Sequence, residues 1–326
     1  MTFKIQRRQL TAVVAAALAL GATASFAQAS DKPLRMVLPV GAGSGVDTIM
    51  RAATPSLTKA LGGQAVVIEN LPGAGGITGT GVVVRAAADG QTLGVVSNNH
   101  VVNPSVFKKM PFDAINDITP ISVVGATPFV LVVNPKLPAK NARELQALLK
   151  AKPDGYNYAS SGNGTIIHLA GAMFVDAAGV EVRHIPYKGV GPMVADLIGG
   201  QVEMGVVAVP AVQGQLKSGA LRAIGVMGKT RVPSLPDVPT IAEQGFPDVD
   251  VSGWFAVIGP AKLPPAEVKR LHAAIVAAFN MPETRDAMAK QENIINPMTP
   301  EASAQFFKAE QERYARLVKK ANIVAE

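Results

Sequence analysis

Cysteine is absent from the 326 residues. That excludes a disulfide framework, a thiolate zinc site, an iron–sulfur cluster and a cysteine nucleophile. Aromatic side chains are scarce too: Trp254 stands alone beside 4 Tyr and 11 Phe, which argues against rows of stacking platforms for single-stranded nucleic acid or sugars. Charged residues make up 17 %, below the ~25 % of ordinary globular chains, so neither a disordered chain nor a long coiled coil is expected. The formal charge of +7 would suit nucleic acid, but Lys4, Arg7 and Arg8, in a first thirty residues without any acid, supply part of it. The remainder holds 28 basic against 24 acidic residues, +4, with no run of five or six Lys or Arg. No nucleic-acid partner is expected.

Catalytic fingerprints are missing as well. A P-loop needs G-x-x-x-x-G-K-[ST]. The nearest stretch, Ala223-Ile-Gly-Val-Met-Gly228-Lys229-Thr230, has Ala for the first glycine and runs into Arg231-Val-Pro233 instead of a helix. No G-x-G-x-x-G follows a strand-like segment, and no G-x-S-x-G elbow occurs; these are the marks of dinucleotide binding and of serine hydrolases. His100, His168, His184 and His272 lie far apart without H-x-x-x-H spacing. No metal and no cofactor is expected.

What is present begins with an export signal. Lys4, Arg7 and Arg8 precede an apolar stretch from Leu10 to Leu20, and Ala27-Gln28-Ala29 fits the small-x-small cleavage rule, with Ser25-Phe26-Ala27 as an alternative. Residues 1–29 therefore read as a cleavable signal peptide. Eleven residues cannot span ~30 Å of hydrocarbon as a helix. No later window is an unbroken 18-residue apolar run, so no membrane span is expected. A periplasmic protein is expected, exported by the general secretory route or, through Arg7-Arg8, by the twin-arginine route.

Beyond the signal, short apolar segments alternate with helix-like stretches: Leu34 to Leu38 then 46–61, Ala65 to Glu69 then a helix to about Ala88, and Thr92 to Ser97. The pattern resumes with Phe129 to Val133, a helix from Asn141 to Lys150, Tyr156 to Ala159 and a helix over Thr165 to Ala178. Val182 to Ile185, helix 190–198, Val202 to Val207 and Leu221 to Met227 continue it. This is an α/β chain with mainly parallel sheets flanked by helices. After Trp254 to Ile258 the chain reads as helices at 265–279, 283–291 and 300–321. No single linker divides it, which suggests a domain crossed twice, at Val132–Pro135 and at Ser252–Phe255.

Three segments share one design, a Gly/Ser-rich loop leading from a strand into a helix: Pro39-Val-Gly-Ala-Gly-Ser-Gly-Val-Asp47, Ser160-Ser-Gly-Asn-Gly-Thr165 and Tyr187-Lys-Gly-Val-Gly191. Glycine lets backbone N–H groups approach a ligand, and a helix N-terminus carries unpaired donors and partial positive charge. Such loops cradle anions and gather outside the carboxyl ends of strands. Plain turns would use glycine too, and Asp47 in a first helical turn also serves as a cap or brace. His168 lies one turn into its helix, within reach of a ligand on its loop or of the loop backbone itself.

These motifs, in this order, resemble the extracytoplasmic solute-binding receptors of tripartite tricarboxylate transporters, the Bug-type receptors. Glu69-Asn-Leu-Pro-Gly-Ala-Gly-Gly76, Asp89-Gly-Gln-Thr-Leu93, Asp117-Ile-Thr-Pro120, His168-Leu169, His184-Ile-Pro-Tyr-Lys-Gly189, Leu235-Pro-Asp-Val-Pro-Thr240 and Trp254-Phe255 complete the set. The resemblance implies a two-lobed periplasmic-binding-protein type II fold, with residues 30–132 plus 254–326 in lobe 1 and 133–253 in lobe 2. It implies capture of a small carboxylate without chemistry, no cofactor, a monomer, and membrane permease subunits as partners. Ligand-binding positions fall on Val40, Gly41, Gly43, Ser44, Gly45 and Asp47 of lobe 1. Ser160, Ser161, Asn163, Gly164, Thr165, His168, Tyr187 and Gly189 answer them from lobe 2. Where relatives commonly carry Asp-Asn, this chain has Val207-Ala208, which would favour an apolar or aromatic ligand body if those side chains face it. The alternative is a secreted hydrolase using Ser160 or Ser161 with His168.

Overall fold

The computed structural model describes residues 32–153, 155–320 and 323; the signal-peptide reading of residues 1–29 lies outside the described residues. The chain opens with β1 (Leu34–Leu38), α1 (Gly45–Ala60), β2 (Val66–Asn70), α2 (Ile77–Val84), β3 (Thr92–Ser97), α3 (Asn99–Val106) and β4 (Ile118–Thr127). The middle of the chain runs β5 (Phe129–Val133), α4 (Ala142–Ala151), β6 (Asn157–Ser160), α5 (Ile166–Ala178), β7 (Arg183–Pro186), α6 (Val190–Gly199), β8 (Met204–Ala208), α7 (Val209–Lys217) and β9 (Arg222–Val226). The last part is β10 (Gly253–Pro260), α8 (Pro265–Asn280), α9 (Pro282–Lys290), β11 (Ile294–Ile295) and α10 (Pro300–Lys320).

Two sheets result. Lobe 1 carries the order β11-β4-β10-β3-β1-β2, and lobe 2 the order β7-β6-β8-β5-β9. Strand–helix–strand units give parallel pairs, β1 with β2 and β3, and β6 with β7 and β8. The strands next to the crossings, β4, β10 and β5, pair antiparallel with their neighbours. Both sheets are therefore mixed, with their parallel part where the glycine loops leave the strands. The apolar runs of β5 and β10 are buried throughout, as expected for strands covered on both faces. Helix α1 buries Ile49, Met50, Ala53 and Leu57 at three- and four-residue spacing.

The outward crossing differs from the expected one. A crossing at Val132–Pro135 would leave residues 129–132 in lobe 1, but the whole of β5 pairs with β8 and β9 in the second sheet, so the chain crosses at Pro128, between β4 and β5. An apolar run announces a strand without saying which sheet it joins; proline, which has no N–H to donate, interrupts the ladder. The return lies at Ser252, before β10. Helix α3 and strand β4 are additions to the sequence reading. Among the described residues no helix is long and apolar enough to cross a membrane.

One side chain knits the return crossing. Asn98, ahead of α3, donates through Nδ2 to Ser252 O at 3.0 Å and to the Tyr314 hydroxyl at 2.6 Å, and accepts from Trp254 N at 3.0 Å. The Trp254 indole N–H donates to Glu310 at 2.9 Å. Lobe 1, the crossing and the last helix thus share one buried polar network.

Candidate functional site

A cleft of about 610 Å³ lies between the lobes. Of the helix N-termini that face it, those of α1 and α5, one from each lobe, are finished the same way. In lobe 1, Ser44 Oγ accepts from Asp47 N at 3.2 Å, and Asp47 Oδ2 accepts in return from Gly43 N at 3.0 Å. In lobe 2, Thr165 Oγ1 accepts from His168 N at 3.2 Å, and His168 Nδ1 accepts from Gly164 N at 3.0 Å. Each is a reciprocal box of the S/T-x-x-E type, closed by a shorter side chain that reaches one residue further back. Gly43 and Gly164 both sit at positive φ, 78° and 68°, a conformation that costs glycine little.

The boxes differ in their anchors. Asp47 is buried; its Oδ1 also receives Arg51 Nε and Asn70 Nδ2, each at 3.0 Å. Burial pushes its carboxyl pKa up, but the bonds from Arg51, Gly43 and Asn70 outweigh this and hold it below the ordinary carboxylate value. His168 stacks on His184, with ring centroids 3.8 Å apart and planes 6° apart. Burial lowers the His168 pKa to about 4; burial and the neighbouring His168 lower that of His184 to about 3. A neutral His168 leaves Nδ1 free to accept, which fixes the Nε2–H tautomer. His184 Nε2 stands 2.6 Å from Ser160 Oγ.

Val40, Gly41, Ser44 and Gly45 line the cleft from lobe 1; Ser161, Asn163, Thr165, Tyr187, Gly189 and Ala208 line it from lobe 2. Asp47, Gly164, His168 and Ser160 stand behind that wall and shape the loops, while Gly43 is exposed and outside the lining. Val207 is fully buried in the core of lobe 2 and is not part of the lining. The third loop leans on the second: Tyr187 N donates to Ser160 O at 2.9 Å and Gly189 N to Ser161 O at 3.2 Å. The Tyr187 hydroxyl donates to Asp196 at 2.9 Å, and burial, then Asp196, raise its pKa to about 12.

The hydrolase alternative finds no support in this geometry. Ser160 is fully buried and faces His184, while His168 spends Nδ1 on Gly164. Ser161, which does line the cleft, donates to Thr165 Oγ1 at 3.3 Å. Among the described residues no serine is paired with His168.

Several lining residues escaped the sequence reading as site residues: Asn99, Phe107, Phe129, Ile166, Ile167 and Trp254. Among the described residues Lys188 is the only charged side chain on the wall. The amides of Gly45 and Val46, at the first turn of α1, have no acceptor among the described residues. Among the described residues the cleft thus offers backbone donors, one rim cation and large apolar walls, and no carboxylate.

The sequence pattern described as tripartite tricarboxylate transporter family receptor matches residues 49–323. Protein BugT of Bordetella pertussis is 36 % identical over 290 residues, 88 % of this chain and 89 % of its own. Rpa4515 of R. palustris, solved with adipate, superposes with a TM-score of 0.87 at 27 % identity, over 91 % of this chain and 99 % of that one. MatC of Rhodopseudomonas palustris, solved with bound malate, gives 0.84 at 27 % identity, over 89 % and 99 %.

Proposed function

The chain belongs to the tripartite tricarboxylate transporter receptor family, and on that premise we propose that it captures a small carboxylate with an apolar body outside the cytoplasm and presents it to membrane permease subunits. The carrying observation is the pair of capped helix N-termini aimed from opposite lobes into one cleft without acidic lining. A carboxylate placed there takes N–H donors from Gly45 and Val46, directly or through ordered water, within the positive field of the helix. Each charge-assisted bond contributes ~1.5–3 kcal/mol net. Three or four, after ordering costs, suffice for a micromolar Kd.

The rest of the ligand meets Phe107, Phe129, Ala208 and Trp254. Ala208 offers no polar partner where a hydroxy or amino group would need one, and an unpartnered polar group in such a wall costs ~1–3 kcal/mol. Rpa4515, solved with adipate, and MatC, solved with bound malate, support a carboxylate as the ligand; the Ala208 wall favours the less polar of such ligands. With no chemistry to perform, the site needs neither cofactor nor exposed nucleophile.

Calorimetry on the mature chain tests this. Alkyl and aromatic carboxylates such as adipate and phthalate are expected to bind more tightly than citrate or aspartate, with a matching rise in Tm and no turnover. Tighter binding of citrate or aspartate would refute the apolar body. Absence of binding by every carboxylate would refute the function itself.

A further inference from the structure

One hydrogen bond crosses the cleft from lobe to lobe beside the ligand position. Asn99, the first residue of α3 in lobe 1, accepts through Oδ1 from Ile166 N, the first amide of α5 in lobe 2, at 2.7 Å. The same helix meets lobe 2 again at its far end: a Cβ on Gly164 would overlap Val106, so the glycine leaves a notch that fits that valine. On the other side of the cleft a Cβ on Gly45 would stand 2.9 Å from Ala208 Cβ. An exposed bond from Gln213 to Lys290 O, 2.6 Å, also joins the lobes, away from the ligand. Behind α3, Asn98 holds the crossing through Ser252 and Trp254.

We propose that Asn99 is a positioning residue, a latch whose amide oxygen caps α5 only when the lobes meet and so sets how readily the trap shuts. The proposal rests on the cleft being a ligand trap. The bond joins two protein groups, so it stabilises closure whatever the ligand. Apparent affinity scales with the fraction of molecules in the closed state, so losing the latch weakens all ligands alike. The amide also suits this place for a reason of charge. Aspartate would cap the positive end of α5 at least as well, but it would set a second negative charge in the cleft that receives a carboxylate.

That gives two variants with different signatures. Asn99→Ala removes the acceptor. Small-angle scattering of the ligand-free mature chain should show a larger radius of gyration than wild type. Adipate and phthalate should both bind roughly five- to tenfold more weakly, chiefly through faster dissociation, followed by the fluorescence of Trp254, the only tryptophan. Asn99→Asp keeps the acceptor: its scattering should match wild type, while both carboxylates lose affinity in a way that added salt partly restores. Gly164→Ala, which leaves Asn99 in place and wedges Val106 away, should open the lobes like Asn99→Ala and serves if that variant folds poorly. Scattering curves for Asn99→Ala and Gly164→Ala that coincide with wild type would overturn the latch, as would an unchanged dissociation rate. Failure of every carboxylate to bind would instead sink the proposed function, with the scattering still reading the latch.

Discussion

The two helix caps that face the cleft share a geometry and differ in charge. At α1, Ser44 and Asp47 form the box, and Asp47 is ionised, buried and tied to Arg51 and Asn70. At α5, Thr165 and His168 form it, and His168 is neutral and stacked on His184. Both anchors accept a glycine N–H, so both hold a loop that turns backbone donors toward the ligand. The charged anchor needs a cation behind it, and Arg51 is there; the neutral anchor needs only burial. A loop can therefore be braced for anion binding with or without adding a negative charge next to the anion.

The largest effect should come from the meeting point of the two halves. Gly45→Val, with side-chain atoms pressed against Ala208 and over the first amides of α1, is expected to weaken adipate binding by 100-fold or more in calorimetry. Binding within a few-fold of wild type would show that α1 does not receive the ligand.

The anchors can next be removed one at a time. Asp47→Ala strips three bonds and leaves the Gly43 and Asn70 donors without this acceptor, so a loss of about 2–3 kcal/mol in chemical denaturation is expected. His168→Ala loses one cap bond and one ring stack and should cost about 1–2 kcal/mol. Equal losses would mean that the charge difference between the caps has no energetic weight.

Acid should separate them further. An unfolded imidazole takes its proton near pH 6.5, whereas His168 and His184 resist until about 4 and about 3. The unfolded chain then binds more protons between these limits. The contribution is complete above pH 6.5 and declines as pH falls toward 4, by about 1–2 kcal/mol per ring at pH 5. Buried His100, lowered to about 4 by burial, and His184 titrate in the same window, so the slope lost in His168→Asn measures the share of His168 alone. Asp47, held below its ordinary value, contributes above pH 3.8 and lets go only under more acid conditions. A denaturation series that stays flat from pH 6.5 to 4.5 would contradict the neutral anchor.

Much of this site could be read from the chain because its design is local. Ser44 and Thr165 ahead of apolar helices, with glycine just before each, mark caps without any knowledge of the fold. What stayed hidden depends on distant pairing. Ser160 finds His184 rather than His168 because β6 and β7 pair in parallel, with Tyr158 opposite His184 and Ser160 opposite Pro186; no spacing rule anticipates that. Val207 and Ala208 are neighbours, but only Ala208 reaches the cleft, since successive side chains of β8 face opposite ways. Helix α3, with its paired valines and Pro104, has poor helical propensity and owes its shape to its neighbours. Asn99 went unnoticed with it.

The smallest effect concerns the rim. Lys188 is exposed and lines the cleft without an ion pair among the described residues. Lys188→Met is expected to slow adipate association by about two- to fivefold at low salt, and hardly at all at physiological ionic strength. A loss as large as that of Gly45→Val would move the anion from the backbone to the side chain.

A crystal structure of the protein with adipate tests the central claim most directly. The account places one carboxylate oxygen within ~3.2 Å of the Gly45 or Val46 amide, or one water away, with the carbon chain against Phe107 and Trp254. Adipate held by Lys188 alone, or seated outside the cleft, would contradict it.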